Sequence, residues 1–548
     1  MNERMNEAEN SSRCGWCSRC FSFLPVDYTR EFVSMCTLAF PVFLAILFDY
    51  LILFTSSVFC GHLGKLELDG VTLAVAVINV LGVGIGFGLS AACDTLISQT
   101  YGAGNLQQVG VITQKAIIIL LLTCLPCCAI LINTESILLL AGQSPEVARV
   151  SQLYVNVFLP GLPAVYMFIV QVKYLQNQGI FWPLVITGVV ANILNALINY
   201  ILLFVLNMGV EGSAAANTIS QYSLATILFI YIRWKGLYKE TWKGWSMDCL
   251  QEWDSFIYLA IPSMLMMCGE WWTYEIGGLL AGLISEVELG AQSVMYGLAN
   301  IAYMFPIGFS IAGSVRVGNA MGAGDVAQAK LSAKVSIMCA VSVAVVLATV
   351  IGCSKNVIAR IFTNDKDIIQ RVATVMVLYT PFHIFDATTA AGSSIVKGLG
   401  KQKLGAICNL LGYYGIGCPI GIPLMFAAKM GIFGLWIGLL VSVFLQSIFF
   451  IVLLVKLNWK KASEEAQIRA GVAIRRTDGA SQEDGENEGC DVNDATDVDV
   501  LVVDEEEIVA TVKVQLPLSV LVLRRGLALA AMLALLAAGL AVKYSLKR

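Results

Sequence analysis

Twelve apolar stretches, each long enough to cross the roughly 30 Å hydrocarbon core of a bilayer, follow one another between residues 37 and 456. Lipid offers the backbone no hydrogen-bond partners, so consecutive stretches of this kind must be helical. Of the 548 residues, 57% are hydrophobic and 14% are charged, whereas soluble domains have about 25% charged residues. The sequence therefore predicts an all-α membrane protein. The predicted spans cover residues 37–59, 71–98, 111–133, 152–175, 181–206, 211–232, 256–283, 290–315, 333–353, 372–396, 405–427 and 432–456.

The two halves of the chain repeat each other at a nearly constant shift. Residues 66–68 match 287–289, Asn79 falls on Asn300, and the Gly-Ala-Gly loop at 102–104 matches that at 322–324. Because each unit holds six spans, an even number, both units enter the membrane from the same side. This predicts two six-helix lobes arranged as parallel repeats, with a substrate site between them near the midplane, as in alternating-access carriers.

Charge and composition divide the chain further. Basic residues before the first span favour a cytoplasmic N-terminus. The run from Leu527 to Val542 is rich in Ala and Leu, follows Arg524 and Arg525, and predicts a thirteenth span with the C-terminus outside, the alternative being a helix at the membrane interface. We predict a cytoplasmic N-terminal segment (1–34), an N-lobe (35–232), a cytoplasmic inter-lobe loop (233–255), a C-lobe (256–456), an acidic disordered cytoplasmic linker (457–516) and a C-terminal transmembrane helix (517–548).

The seventh predicted span contains two carboxylates, Glu270 and Glu275, and three aromatic residues, Trp271, Trp272 and Tyr274. A charged carboxylate at the bilayer centre costs about 2.5–3.5 kcal/mol on insertion scales, so such groups are rare. Glu270 and Tyr274 are four residues apart and share a helix face, as do Trp271 and Glu275. Carboxylates beside aromatic faces suit organic cations and protons. The alternative is a pair of carboxylates that hydrogen-bond to neighbouring helices and hold them together.

Two further acidic residues are candidates for proton or cation binding. Asp386 lies in the tenth span beside small residues, and Asp49 lies in the first. Asn79, at membrane depth in the second span, either lines the cavity or makes an interhelical hydrogen bond. Asp94, near the end of that span, is interpreted as a capping or packing group.

No metal site, cofactor site or catalytic motif is expected. The chain has two histidines, His62 and His383, which are too few for an ordinary zinc site. Cys14, Cys17 and Cys20 resemble half a metal knuckle that lacks a fourth ligand, and most other cysteines lie in apolar runs, where they behave as small hydrophobic residues. We therefore predict that the protein is not an enzyme and needs no cofactor beyond a proton gradient.

Three segments resemble the multidrug and toxin extrusion (MATE) family: residues 57–68, 93–102 and 314–319. The Glu270-Trp271-Trp272 motif and the thirteenth span are similar to the animal branch. The resemblance implies twelve core helices in two lobes and electroneutral exchange of protons for organic cations. It also implies that Glu270, Glu275 and Asp386 handle protons and cations. The cavity-lining positions it implies are Asn79, Trp271, Tyr274, Tyr296 and Tyr303.

One position departs from the animal pattern. The resemblance implies a glutamate after Tyr296, but this chain has Gly297. One carboxylate of the central cavity is therefore missing, and Asp49, which is unusual in the first span, is a hypothetical substitute.

The function expected from these features is export of organic cations and xenobiotics across the plasma membrane by a proton-coupled multi-pass antiporter. The expected partners are the substrate cations, protons and the lipid bilayer, with no nucleic acid, and the expected working unit is a monomer. Two alternatives share the architecture, namely a sodium-coupled drug antiporter and a lipid or oligosaccharide flippase. A flippase should have a more basic cavity. A membrane-embedded enzyme is the rival from another class, and the low histidine count argues against it.

Overall fold

A computed structural model describes residues 26–472 and 517–546, and every long element in these ranges is a helix. We number the long helices and the amphipathic helix that follows them. They are α1 (Val26–Gly61), α2 (Leu66–Gly102), α3 (Leu106–Leu131), α4 (Pro145–Gln176), α5 (Trp182–Val205), α6 (Gly209–Trp234), α7 (Trp253–Gly282), α8 (Glu286–Gly322), α9 (Val326–Ser354), α10 (Lys366–Gly398), α11 (Gln402–Phe426), α12 (Ile432–Lys456), α13 (Trp459–Arg469) and α14 (Leu518–Leu546).

Eleven of the described helices are long and apolar enough to cross a membrane. The prediction of an all-α membrane fold is confirmed, but this criterion does not establish the count of twelve spans plus one. The remaining two of the predicted spans correspond to α6 and α7, which have 26 and 30 residues. At about 1.5 Å per residue each is long enough to cross. Their polar residues, Glu270 and Glu275 among them, lower their hydropathy.

The helices form two lobes, and helices at matched positions in the sequence repeat make matched contacts. Helices α1–α6, with the first turns of α7, form one large apolar core, and α7–α12 form a second. Helix α1 packs against α8, and its repeat mate α7 packs against α2. These reciprocal contacts are those of two lobes related by a two-fold axis.

The lobes meet most closely where α2 crosses its repeat mate α8. A Cβ atom on Gly102 would lie 2.0 Å from the carbonyl oxygen of Asn319, and one on Gly322 would lie 1.9 Å from that of Gln99. The two glycines are repeat mates, and so are Gln99 and Asn319. Only glycine therefore fits at these two crossing points. We call this contact the seam.

The seam lies on the side of the molecule that carries the inter-lobe connection, residues 235–252, which we call the connector face. Gln99 donates a hydrogen bond to the carbonyl of Gly398 at 2.8 Å, and Thr95 donates one to the carbonyl of Lys397. By contrast, the helical segment Lys65–Ile78, in which α2 begins, packs mainly on α1 and α4 of its own lobe. The lobes are thus joined at the connector face and separate toward the opposite face.

Helix α1 begins earlier than predicted. The segment 1–34 was expected to precede the first helix, but α1 starts at Val26. Glu31 is only 4% exposed, and both of its carboxylate oxygens accept hydrogen bonds at 2.5 Å from Arg316 of α8. Ser332 and Gln328 of α9 also donate to this carboxylate. Because the buried charge is paired and fully hydrogen-bonded, the helix can extend over a polar residue that hydropathy alone would place outside it.

The prediction of disorder from residue 457 is wrong at its start, because α13 forms there. Trp459, Ala462 and Ala466 are buried, and their spacing gives the helix one apolar face. Arg469 donates hydrogen bonds to the carbonyls of Leu399 and Gly400 at the end of α10. Burial lowers the pKa of Arg469, but its usual pKa is so high that the guanidinium remains charged.

Residues 473–516 of the predicted linker and the cysteine cluster at 14–20 lie outside the described residues.

Helix α14 packs along α3 on the outside of the N-lobe. Near its start, the guanidinium of Arg525 lies 4.0 Å from the ring centre of Trp253 on the connector face. Near its end, Asn133 donates a hydrogen bond to the carbonyl of Gly539 at 2.9 Å. Since α14 passes from one face to the other, its contacts favour a spanning helix over an interfacial one.

Candidate functional site

Helix α7 is continuous through the Glu270–Glu275 segment. Glu270 and Tyr274 share the face that is directed into the C-lobe. There the Glu270 carboxyl interacts electrostatically with Asp386 of α10, which is only 7% exposed. Tyr303 of α8 and Tyr413 of α11 interact with both acidic groups. Two carboxyl groups within one buried polar site can hold either a cation or a proton.

Stacked tyrosines form a second wall of this site. The ring centres of Tyr274 and Tyr296 are 5.7 Å apart, with an angle of 23° between their planes. The Glu275 carboxyl lies beside the hydroxyl of Tyr296, which also lies beside Asn300. The structure thus brings six of the predicted site residues together in the C-lobe. They are Glu270, Tyr274, Glu275, Tyr296, Tyr303 and Asp386.

Trp271 lies at the boundary between the lobes. Its ring stacks on Phe87 of α2, with 6.2 Å between ring centres. Next to it, α2 makes a π-helical turn at Asn79–Val83, and Trp272 donates a long hydrogen bond of 3.5 Å to the carbonyl of Val80. Such turns are frequent at functional sites because they leave backbone groups without their usual helical partners. The central aromatic residues of α7 therefore contact both lobes.

Asp49 and Asn79 do not join the C-lobe group. They line a separate cavity of about 190 Å³ inside the N-lobe. Gly297 is in the C-lobe, where a Cβ atom would lie 3.4 Å from the Phe362 ring. Asp49 therefore does not occupy the place of the missing glutamate, and whether it compensates functionally remains a prediction.

The charged groups that connect this site to the seam were not predicted from the sequence. The Lys397 ammonium interacts electrostatically with Glu270 on one side and with Asp94 of the other lobe. Asp94 forms an ion pair with Lys173 at 2.7 Å, and Asn177 donates a hydrogen bond to it at 3.3 Å. Asp94 is thus more than the capping or packing group predicted for it. The sequence feature that could have indicated these groups is the position of Lys173 and Lys397, each at the end of an apolar span.

His383 and the cysteines are the remaining polar groups that the sequence pointed to. His383 lies in the C-lobe interior, 3.3 Å from the Tyr379 hydroxyl, and packs near Trp436 through that tyrosine. The twelve cysteines in the described ranges are all free. Cys249, in the connector, is an example: burial raises the pKa of its thiol, so it is less reactive than an exposed cysteine.

Comparison with known proteins agrees with this architecture. The MatE family matches residues 41–201 and 262–422, two segments of equal length with one in each half of the chain. The chain is 58% identical to multidrug and toxin extrusion protein 1 of Danio rerio over 98% of its own length and 94% of the relative's. It is 52% identical to the human protein of that name, over 85% of this chain and 82% of the relative.

Solved structures show the same fold. The eukaryotic MATE transporter AtDTX14 superimposes with a TM-score of 0.78 at 29% identity, covering 81% of this chain and 99% of that one. The Vibrio cholerae transporter VcmN in its bent form matches in fold, with a TM-score of 0.67 at 17% identity, over 81% of this chain and all of that one. With its two repeated lobes and the family matches on both halves, this chain belongs to the multidrug and toxin extrusion (MATE) family of transporters.

Proposed function

We propose that this transporter exchanges protons for organic cations across the plasma membrane and so exports cationic xenobiotics. The observation that carries the proposal is the C-lobe site, where Glu270 and Asp386 interact within a group of tyrosines. Carboxylates attract a cationic group, and tyrosine faces add cation–π attraction of about 0.5–2 kcal/mol each. A site built for an anionic lipid phosphate would instead present arginines or lysines.

We place the connector face in the cytoplasm. The connector carries Lys235, Lys239 and Lys243, and an excess of lysine and arginine is typical of cytoplasmic loops. Since α1 and α14 end on the opposite face, the C-terminus would then lie outside the cell. In this orientation the lobes are closed toward the cytoplasm and separate toward the outside, which corresponds to an outward-open carrier.

The cycle begins with a proton from outside, which binds a carboxylate oxygen of Glu270 or Asp386 and displaces the bound cation. The neutralised site then permits the lobes to close outside and open at the seam. A cytoplasmic cation displaces the proton, and the loaded site returns outward. One monomer contains all the groups that these steps use.

The proton gradient supplies the energy. One pH unit corresponds to about 1.4 kcal/mol per proton, which sustains a tenfold cation gradient in one-for-one exchange. Alkaline medium outside therefore drives uptake of the cation, because the proton then leaves the cell in exchange.

The test is uptake of a fluorescent organic cation by cells that express the full chain, in acidic, neutral and alkaline medium. Uptake should rise from acidic to alkaline medium, and Glu270→Gln should lose this dependence at an unchanged surface amount. Glu286→Gln, an exposed glutamate in the first turn of α8, is the matched control.

Other outcomes point to the alternatives. Uptake that follows the sodium gradient and ignores pH would establish sodium coupling. Absence of cation uptake, together with movement of a labelled lipid between leaflets, would favour a flippase. Full pH-driven uptake by Glu270→Gln would overturn the role assigned to this carboxylate.

A further inference from the structure

An ion pair ties the C-lobe helices together on the face opposite the connector. The guanidinium of Arg371, near the start of α10, lies 2.6 Å from a carboxylate oxygen of Glu288 in the first turn of α8. Arg371 also donates a hydrogen bond to the carbonyl of Met430 at 2.5 Å. The second oxygen of Glu288 accepts a hydrogen bond from the backbone of Ile432 at 2.6 Å. One guanidinium therefore joins α8, α10 and the loop before α12.

The N-lobe has the matched carboxylate but lacks the guanidinium. At the shift that aligns the prolines inside α1 and α7, Glu67 matches Glu288. Val150 matches Arg371 at the same shift, and each is the sixth residue of its helix. An uncharged valine therefore stands in α4 where α10 has its arginine.

A cavity of about 380 Å³ lies at this place in the N-lobe. Glu67, Val150 and residues 208–209 line it. The repeat mate of 208–209 is 430–431, which supplies the carbonyl that accepts from Arg371. The cavity lies beyond the end of α1, between the first turns of α2, α4 and α6, and it shares no residue with the smaller cavity deeper in the lobe. We call it the rim cavity.

The rim cavity also contains a second carboxylate. Glu211, in the first turn of α6, lines it, whereas the C-lobe has Phe433 at the matched position. Glu67 is half-buried and Glu211 is exposed. Neither carboxylate forms an ion pair or hydrogen bond with another side chain that the structure describes. The lining thus carries two negative charges where the C-lobe has one carboxylate neutralised by one guanidinium.

The chemistry of the cavity suits a guanidinium ligand. A guanidinium presents a planar fork of N–H donors that matches a carboxylate through two parallel hydrogen bonds. Leu63, Leu153 and Val210 form an apolar wall beside the carboxylates. The volume of the cavity is within the roughly 300–1,000 Å³ of small-molecule pockets. A ligand that fills it therefore combines a guanidinium head with an apolar arm.

We propose that the rim cavity is a binding site for a guanidinium compound with an apolar arm, whose head takes the place that Arg371 occupies in the C-lobe. The bound head joins α2 to α6 through Glu67 and Glu211, as Arg371 joins α8 to the loop before α12. In the orientation proposed above, this ligand enters from outside the cell. The inference goes beyond the proposed function and requires neither the proton nor Glu270.

Equilibrium binding of radiolabelled benzylguanidinium to the purified full chain in lipid nanodiscs tests the proposal. Because the probe is itself an organic cation, binding is measured in a Glu270→Gln parent, which lacks a carboxylate of the C-lobe site but keeps the rim cavity. The parent should bind the probe. Added Glu67→Gln should weaken binding at least about tenfold, which corresponds to about 1.4 kcal/mol. Added Val150→Arg supplies the guanidinium of the C-lobe and should abolish binding.

Two controls isolate the guanidinium and the cavity. Glu146→Gln, which removes an exposed carboxylate in the first turn of α4 outside the cavity, should bind like the parent. Benzylammonium, with the same arm but a point charge, should bind several-fold more weakly than benzylguanidinium. A thermal unfolding scan of each variant verifies that the fold is intact.

Several results would overturn the proposal. They are absence of probe binding to the parent, unchanged binding in Glu67→Gln and Val150→Arg, and equal weakening in Glu146→Gln, which would indicate net surface charge. Equal affinity for benzylammonium would remove the assignment to a guanidinium. The proton-coupled exchange is measured separately, by the pH dependence of uptake in chains that retain Glu270. Glu67→Gln alone should keep that dependence, so failure of the exchange and failure of the rim site are distinguishable.

Discussion

The N-lobe and the C-lobe share one helix arrangement but differ in the chemistry of their interiors. In the N-lobe, amides and hydroxyls bond to one another: Asn195 donates to Ser220 at 3.0 Å, and Asn199 donates to the side chain of Asn195 at 3.1 Å. In the C-lobe, the carboxyls of Glu270 and Asp386 interact with tyrosines instead. A network of neutral amides and hydroxyls stabilises packing, whereas an acidic group among tyrosines attracts cations.

This difference shows which properties the repeat preserved. Helix bounds, seam glycines and the positions of Pro41 and Pro262 agree between halves because they determine how the backbones pack. Side chains that face a cavity carry no such constraint, so Leu53 and Tyr274 can differ at matched positions. We expect the two lobes to contribute unequally to transport.

The largest effect is expected at Asp386. Asp386→Asn removes a carboxyl that interacts with Glu270 while keeping the shape of the side chain. Proton-coupled uptake should be lost at an unchanged surface amount. Asp386→Glu keeps the carboxylate on a side chain one methylene longer, and it should restore part of the proton-coupled uptake. Asp325→Asn, at the cap of α9, is a same-residue control away from the site. Equal uptake by wild type and Asp386→Asn would remove the acid pair from the mechanism.

The second effect concerns the link between the C-lobe site and the seam. Lys397 interacts with Glu270 and with Asp94 of the other lobe. Lys397→Gln removes this charge, and a tenfold change in rate corresponds to about 1.4 kcal/mol of lost stabilisation. We expect the pH-dependent part of uptake to fall by about tenfold or more, with recovery in Lys397→Arg.

Lys401→Gln is the control for Lys397, because Lys401 lies four residues further along and pairs with Glu465 at 2.6 Å instead. The two glutamine variants should therefore differ clearly in the pH profile of uptake. Identical profiles for both would mean that Lys397 serves the packing of the seam alone.

Much of the fold could be predicted from the sequence because apolar length and an internal repeat are both readable from residue types. The errors occur where burial depends on a distant partner. Glu31 belongs to α1 because Arg316, in the other half of the chain, neutralises it, and α13 folds because the ends of α8 and α10 receive it. Neither partner is visible from local composition.

The candidate site could be predicted in part for the same reason. Glu270 and Tyr274 lie four residues apart on one helix, so their spacing indicated a shared face, with Glu275 on the neighbouring one. The sequence also placed Asp49 and Asp386 in different lobes, but the approach of Asp386 to Glu270 depends on helix packing, which hydropathy does not encode. Lys397 was missed because a lysine at a helix end is ordinarily explained by the membrane interface.

A smaller effect is expected from exchanging matched side chains between the lobes. Tyr274→Leu gives the C-lobe site the residue found at Leu53 and removes a ring that stacks on Tyr296 at 5.7 Å. Loss of one cation–π contact should weaken binding by about 0.5–2 kcal/mol, or roughly 2- to 30-fold. Tyr274→Phe keeps the ring and should stay near wild type. Competition by unlabelled cation in the uptake assay measures the change. Equal losses in both variants would assign the effect to the hydroxyl rather than to the ring.

The smallest effect is expected from Gly297→Glu, which supplies the carboxylate that the family resemblance led us to expect. A Cβ atom at this position would make ordinary van der Waals contact with Phe362 at 3.4 Å, so the backbone can accept a side chain. Because Phe362 is itself exposed, the new carboxylate would be partly hydrated, and hydrated charges contribute about 0–1 kcal/mol. Cation affinity should therefore increase by less than about fivefold. The increase should be largest for cations with two positive charges. Gly297→Gln, which adds no charge, should show no increase. A gain as large as the loss in Asp386→Asn would mean that the C-lobe site extends to Phe362 and excludes water there.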